Sequence, residues 1–228
     1  MDGRLSDIWV SVRLTIELAS ITTVILVILG TPLAWWLARS KSMWSDAVAT
    51  IIVLPPMLPQ PVLGFYLLAL LGPTGPGGML ASLWGERTLA FTFAGVVIGS
   101  VLSALPVVVQ PIRNAFATMG DQPLEIAATL RASPSYAFLT VALPLAGPAF
   151  LTAAVLGFAH TIAAFGVVLM VGGNIPGHTK VLSAFLFDYV KASRWHEASW
   201  VAGGMLMFAF VVILILTLID KYLRRRST

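Results

Sequence analysis

The chain contains no cysteine among its 228 residues, so disulfide bonds and thiolate metal sites are excluded. It is also poor in charge, because only 11% of its residues are Asp, Glu, Lys or Arg, against roughly 25% in an ordinary soluble domain. Three long stretches, 47–85, 88–112 and 132–179, lack these residues altogether. A membrane-spanning helix needs about 20 apolar residues, so each stretch can hold at least one, and the composition favours a protein of the bilayer.

Several chemical motifs are missing as well. The Gly- and Pro-rich stretch 72–78 has no Lys followed by Ser or Thr, and nothing else in the sequence matches a nucleotide-binding P-loop. There is no His-Glu-x-x-His, no Gly-x-Ser-x-Gly and no pair of carboxylates within an apolar stretch. An intramembrane enzyme is therefore disfavoured, and we predict neither catalytic nor metal-binding residues. The net charge of +4 is modest and gives no indication of nucleic-acid binding.

What the chain does have is a series of long apolar segments with no separate soluble domain, so residues 1–228 are predicted to form one transmembrane domain. The five predicted spans are 14–38, 47–71, 89–109, 138–160 (with apolar sequence continuing to 171) and 199–219. The first lacks the basic start and cleavage site of a signal peptide and is predicted to act as an uncleaved targeting segment. As an alternative, 132–179 could cross twice, which gives six spans and an inside N-terminus.

The distribution of Lys and Arg between loops sets the predicted orientation. With the N-terminus outside and the C-terminus in the cytoplasm, eight of these residues fall inside and six outside. The cluster Arg224-Arg225-Arg226 and the pair Arg39 and Lys41 adjoin spans and favour this arrangement. It also places the polar segment 121–144 in the cytoplasm. The stretch 72–78 becomes an outer loop, and 181–187 becomes a short helix in or near the outer half of the membrane.

Prolines interrupt the second span between residues 54 and 61. Proline removes a backbone donor and clashes with the preceding turn of a helix. Broken helices at membrane depth are tolerated only where they face protein or a water-filled cavity. Pro55, Pro56, Pro59 and Gln60 are therefore predicted to line a pathway, and a tight loop at the start of the span is the alternative.

Few polar groups lie within the predicted spans, and none near a span centre is Lys or Arg. His160 and Thr161 are the most suggestive of them and join the candidate pathway. Such groups can donate to an anion without holding it firmly, which suits a path that must also release its cargo. The alternative for both residues is a hydrogen bond between helices. The hydroxyl of Thr161 could also form a hydrogen bond within its own helix.

The segment 121–144 is unusually polar and Ala-rich for its position between apolar stretches. Asp121-Gln122-Pro123 predicts a helix start, since Pro is tolerated in the first turn and acidic residues complement the N-terminal dipole. Ser133-Pro134 predicts its end. A helix of two to three turns is marginal alone, so we expect it to dock against a partner, and a loop helix without a partner is the alternative.

This segment resembles the cytoplasmic coupling motif of bacterial ABC importer permeases, which has Glu-Ala-Ala, three residues, Gly, nine residues, Ile, one residue and Leu-Pro. Glu125, Ala127, Val141 and Leu143-Pro144 stand at matching positions. Two positions depart from the pattern, since Ile126 replaces Ala and Arg131 replaces Gly.

Three further stretches, 30–39, 54–59 and 165–179, resemble molybdate permeases in particular, and the resemblance covers nearly the whole chain from about Val10. It adds Phe165 and Gly166 to the candidate pathway. One departure is that the family commonly has Gly-Glu before Phe-Gly, whereas this chain has Ala163-Ala164.

The resemblance implies an all-α type I ABC importer permease fold in a bacterial inner membrane, with five core transmembrane helices and a cytoplasmic coupling helix. The implied partners are a second copy of the chain, two cytoplasmic ATP-binding subunits and an extracytoplasmic substrate-binding protein. No cofactor is expected on this chain, and Mg-ATP would be bound and hydrolysed by the partners.

The implied cargo is molybdate, moved by alternating access; tungstate or sulfate/thiosulfate are alternatives, and a non-transporting scaffold is a distant one. The residues implied in coupling to the ATPase are Leu124, Glu125, Ala127, Ala128, Leu130, Arg131, Ala132, Leu143 and Pro144.

Overall fold

The structure is a computed structural model and describes residues 2–226, throughout which the regular elements are helices. Three helices in this range are long and apolar enough to cross a membrane, and the number rises to five if each of two bent helix pairs is one span. The first, third and fifth spans are the long helices α1 (Asp2–Arg39), α5 (Phe93–Met119) and α12 (Trp195–Arg226).

The second and fourth spans are the bent ones. The second consists of α2 (Met43–Met57) and α3 (Gln60–Leu71), which meet at 114°. The fourth enters through several short elements and then turns by 68° into a longer helix. These elements are α7 (Pro134–Ala137), a π-helical turn (Phe138–Ala142), α8 (Leu143–Leu145) and α9 (Gly147–Ala163).

The remaining helices are shorter. The polar segment holds α6 (Gln122–Thr129). The connection after the second span holds α4 (Pro76–Ala81) with a 3₁₀ turn (Ser82–Trp84), and the connection before the fifth span holds α11 (Leu182–Lys191). The helix α10 (Gly166–Gly172) follows the fourth span directly. Its seven residues extend only about 10 Å, so it is too short to form a second crossing, and the six-span alternative has no support.

Some predicted boundaries were wrong. The third span does not end at residue 109 but continues to Met119 through two internal prolines, Pro106 and Pro111. It ends where Gly120 takes a φ of 68°, a backbone conformation that does not continue a helix. The stretch 72–78, which was predicted to be an outer loop, is not all loop, because α4 begins at Pro76 and packs tightly on the end of α3. A Cβ at Gly77 would lie 2.5 Å from the Cα of Leu71.

The core is built around α1 and α5, which run parallel. Leu18 packs near the start of α5 with Val96 and Val97. Twelve residues further along α1, a Cβ on Gly30 would lie 3.2 Å from Val109 Cγ2. The glycine lets the two helices approach closely, as small residues do between membrane helices.

Candidate functional site

The candidate coupling helix α6 begins where the sequence predicts. Asp121 occupies the N-cap and Pro123 lies in the first turn. The Asp121 side chain makes no capping hydrogen bond, which corrects one part of the prediction. Its carboxylate instead pairs with the guanidinium of Arg39 at 2.9 Å, at the C-terminal end of α1. This ion pair joins the first span to the start of the coupling helix.

The end of α6 differs from the prediction. The helix stops at Thr129, because Arg131 takes a left-handed conformation with a φ of 60°. The Arg131 N–H then donates to Ala128 O at 2.9 Å and the Ala132 N–H to Ala127 O at 3.1 Å, which is the Schellman pattern of helix termination. Ser133 is not the stop but the N-cap of α7, and its hydroxyl accepts from the Tyr136 N–H.

The two faces of α6 have different surroundings. Leu124 packs inward against the core, and Ala127 is buried. Leu130, which the resemblance implies in coupling together with Leu124, is 78% exposed on the opposite side of the helix. Ile126 is 56% exposed and lies one turn before Leu130, so these two residues form an outward apolar pair beside exposed Glu125. Ile126 was noted only as a departure from the resembled motif, although its i, i+4 spacing to Leu130 is visible in the sequence.

Behind α6 lies the π-helical turn, which packs against it. Phe138, in this turn, stacks edge-on with Trp35 of α1 at 4.9 Å between ring centroids, and Trp35 contacts Phe116 of α5 at the same distance. Leu143 and Pro144 follow the turn in α8, where Leu143 is half-buried and Pro144 exposed. The segment is thus held, through Phe138, against aromatic side chains from the first and third spans.

A groove of about 720 Å³ separates the C-terminal end of α1 from this segment, and we call it the inner groove after the orientation that the sequence predicts. One wall is α1, another is α6 with the residues after it, and a third is the start of the fourth span. Its lining residues are Thr31, Pro32, Trp35, Arg39, Leu124, Ala128, Ala132, Pro134, Ser135, Ala137, Phe138 and Leu139.

The candidate pathway residues converge in part. A cavity of about 160 Å³ brings together four of them, Pro55, Pro56, Gln60 and His160. Within its walls also lie Leu58, Leu63, Ser103, Ala164 and Val167. Ser103 is one of the span hydroxyls that were not singled out for the pathway, because nothing in its local sequence distinguishes it from the others. Among the residues described, no group of three or more His, Asp or Glu could hold a metal ion.

Two helix breaks meet beside this cavity. The second span breaks at Leu58-Pro59, and the backbone after α9 leaves the helix at Ala164 and Phe165. Gln60 Oε1 accepts a hydrogen bond from the Gly166 N–H at 3.0 Å. A Cβ on Gly166 would lie 2.7 Å from Gln60 Cβ, so the contact requires glycine.

A side chain also provides a hydrogen-bond partner for the backbone carbonyl group at the second break. The hydroxyl of Ser183, on α11, donates to Ala164 O at 2.9 Å. Gln60 and Ser183 therefore replace helical hydrogen bonds that the break removes, as a membrane environment requires. Ser183 was missed because its partner lies 19 residues away in sequence and belongs to no recognisable pattern.

The other candidate pathway residues lie beside the cavity and do not line it. Pro59 is the N-cap residue of α3. The Thr161 hydroxyl donates to Gly157 O within its own helix at 2.9 Å, which is the alternative considered for it. Phe165 packs on Phe187 of α11 with 5.0 Å between ring centroids.

A sequence profile described as binding-protein-dependent transport system inner membrane component matches residues 30–227. The chain belongs to this family. The molybdenum transport system permease protein ModB of Azotobacter vinelandii is 55% identical over 203 residues, which are 89% of this chain and 90% of that protein. ModB of Haemophilus influenzae is 31% identical over 193 residues, 85% of this chain and 83% of that protein.

A solved bacterial ABC transporter involved in the import of the acidic polysaccharide alginate has the same fold. Its TM-score is 0.77 at 15% identity, and the match covers 95% of this chain and 79% of that one. The resemblance to molybdate-type ABC importer permeases and the all-α importer fold are therefore both confirmed.

One of the positions at which this chain departs from the resembled pattern lies at the cavity. Ala164, which departs from the Gly-Glu-Phe-Gly pattern of the resemblance, is buried and lines the cavity next to His160. Its backbone carbonyl, and not its side chain, carries the polar contact to Ser183. The cavity therefore has no carboxylate among its lining residues.

Proposed function

We propose that this chain is the membrane-spanning subunit of an ATP-driven molybdate importer, and that α6 is its contact with the ATPase. The observation that carries this proposal is the outward apolar pair, Ile126 and Leu130, presented beside Glu125 on a short helix tied to the first span. Such a pair suits docking into a groove of a partner protein. The 55% identity to a molybdenum transport permease supports the choice of cargo.

The complete importer would contain two copies of this chain, two cytoplasmic ATP-binding subunits and an extracytoplasmic binding protein. A single copy leaves the proposed pathway incomplete, since Gln60 at the helix breaks is exposed on one side. A twofold partner would enclose it. The family description as binding-protein-dependent supports the third component.

In the proposed mechanism, closure of the ATPases displaces α6. Because α6 packs on the π-helical turn, the displacement passes into α9, whose 17 residues extend about 25 Å to the break at Ala164. There it acts on the contact between Gln60 and Gly166. The two helix breaks would act as hinges between inward-open and outward-open states, because broken helices change direction at lower cost than continuous ones.

The cavity would bind the passing anion only weakly. Gln60, Ser103 and His160 offer polar atoms to the cavity, and no Lys or Arg lines it. A tetrahedral oxyanion would thus be guided without being trapped, and selectivity would be set by the binding protein.

Reconstitution with the ATPase and the binding protein tests the proposal directly. We expect molybdate-loaded binding protein to stimulate ATP hydrolysis in proteoliposomes and to drive uptake of molybdate. Stimulation by sulfate or tungstate alone would overturn the cargo, and ATP hydrolysis by the permease without its partner would overturn the subunit assignment.

Variants of α6 test the coupling contact. Replacing Ile126 and Leu130 together by Ser should lower molybdate-stimulated ATP hydrolysis by about tenfold or more, because two apolar contacts worth roughly 1 kcal/mol each are lost. Leu83→Ser is the matched control, since Leu83 is 74% exposed but lies in the 3₁₀ turn of the outer connection.

Glu125→Lys should likewise uncouple hydrolysis from uptake while the protein remains folded and inserted. Normal coupling in both α6 variants would contradict the docking assignment.

A further inference from the structure

The inner groove has a direction relative to the membrane. It begins at Thr31 on α1 and ends at Arg39, the last residue of that helix. Eight residues of helix correspond to about 12 Å, so one end of the groove is deep among apolar side chains and the other is at the inner surface. Arg39 is the only charged side chain among its lining residues.

The groove continues into an exposed apolar stripe on the same side of α1. Val24 and Ile28 precede Pro32 at steps of four residues, and they are 57% and 63% exposed. From Ile28 to Arg39 the stripe and groove together extend about 16 Å. One leaflet of the hydrocarbon core is about 15 Å thick, so this length matches the depth that an acyl chain occupies, and Val24 lies about one turn beyond it.

The mouth of the groove carries a fixed cation. The Arg39 guanidinium lies over the Trp35 ring at 4.9 Å from its centroid and makes its ion pair with Asp121 through one terminal nitrogen. A guanidinium has five N–H donors, so others remain for a phosphate. Exposed Lys41 follows two residues after Arg39, and exposed Arg131 precedes Ala132 of the groove wall.

We propose that the inner groove binds one anionic phospholipid of the cytoplasmic leaflet, with an acyl chain along the stripe and the phosphate at Arg39. The proposal rests on the proposed function, in which α6 contacts cytoplasmic ATPase subunits, so that Arg39, which pairs with Asp121 at the start of α6, lies at the cytoplasmic surface. Anionic headgroups attract basic residues at that surface, and pockets between helices with basic rims are suited to them. The lipid would lie between the first span and α6 and would support the position of the coupling helix.

The lining favours a lipid over a protein segment. A segment of an ATPase subunit could reach the mouth at Arg39 but not the deep end at Thr31, about 12 Å into the apolar region. A second copy of the chain would instead leave the groove inaccessible to lipid, and this outcome is distinguished below.

Native mass spectrometry of the purified protein, released from mixed micelles of phosphatidylglycerol and phosphatidylcholine, tests the site. We expect one phosphatidylglycerol per chain to be retained in preference to phosphatidylcholine. Arg39→Gln removes the cation and Thr31→Phe fills the deep end, so both should reduce retention to the level of phosphatidylcholine. Asp121→Asn, which leaves Arg39 in place, and Arg113→Gln, at the inner part of α5, should retain the lipid as the wild type does.

A photoreactive phosphatidylglycerol with a diazirine on its chain provides the second measurement on the unaltered chain. It should label peptides from 24–39 or 124–139. Equal retention of both lipids, loss of retention in the Arg113 control alone, or cross-linking of these peptides to a second copy instead of lipid would overturn the proposal. Neither measurement requires ATP or molybdate, so a failure of the lipid site and a failure of the transport assignment are separate results.

Discussion

Arg131 holds a backbone conformation that residues with a Cβ adopt at a cost. Its φ of 60° is the left-handed region, which glycine enters freely and other L-residues enter at roughly 1–2 kcal/mol. The two hydrogen bonds that close α6 depend on this conformation. The resembled coupling motif has Gly here, and this chain keeps the same closure with a charged side chain.

Arg131→Gly should therefore stabilise the end of α6 by about 1 kcal/mol, because the strain is removed while both closing hydrogen bonds remain. Slower hydrogen exchange at the Arg131 and Ala132 amides would measure the effect. Ala132→Gly is the control, since Ala132 has no positive φ and glycine there should make exchange faster. Faster exchange in Arg131→Gly would contradict the argument.

Local sequence rules predicted the start of α6 but not its end. Pro123 in the first turn and Asp121 at the N-cap follow from the preferences of those residue types, which act within one turn. The left-handed angle at Arg131 could not be read from an Arg, which rarely adopts it. For the same reason the predicted end fell on Ser133, a residue whose capping preference serves the next helix instead.

At the scale of elements, the main feature is the meeting of two helix breaks. The break in the second span was predictable, because prolines accumulate there. The break at Ala164 and Phe165 has no proline, and it is defined by partners far along the chain, Gln60 and Ser183. Contacts across 106 residues have no local pattern, so only the structure reveals that the breaks share one hydrogen bond.

Gln60→Ala should destabilise the protein by about 1–3 kcal/mol, because the buried Gly166 N–H loses its acceptor. Gln60→Glu keeps an acceptor at the same position and should cost less. Thermal unfolding in detergent measures the difference, with Gln110→Ala, an exposed glutamine of α5, as the control. Equal melting temperatures for Gln60→Ala and Gln110→Ala would show that the contact contributes little to stability.

At the scale of the whole molecule, five spans were predicted, which the described residues match if each bent helix pair is one span, but the shapes of the spans were not predictable. Besides the three long charge-free stretches, the shorter ones at 18–38 and 198–219 indicate the first and last crossings, because charge is excluded from the bilayer core over the length of a span. The bends of 114° and 68° depend on packing between spans, which composition does not encode. The helices α1 and α5 run in the same direction. This agrees with their being the first and third spans, because the second span crosses back between them.

The absence of cysteine makes the proposed topology straightforward to test. A single cysteine at Ser133 should react with a membrane-impermeant maleimide only after the inner membrane is permeabilised. A single cysteine at His178, exposed in the loop after α10, should react in intact spheroplasts. The reverse pattern would place the coupling helix outside the cell and would overturn the orientation.

The helix closure at Arg131 also affects how relatives of this chain should be recognised. A motif written in residue letters, with glycine required, would reject the chain at this position. A motif defined by backbone dihedral angles would accept it, because relatives would then share a left-handed turn of the backbone and not a residue type. Natural or designed permeases with Asn or Asp there, which tolerate left-handed angles, would then be expected to keep a working coupling helix.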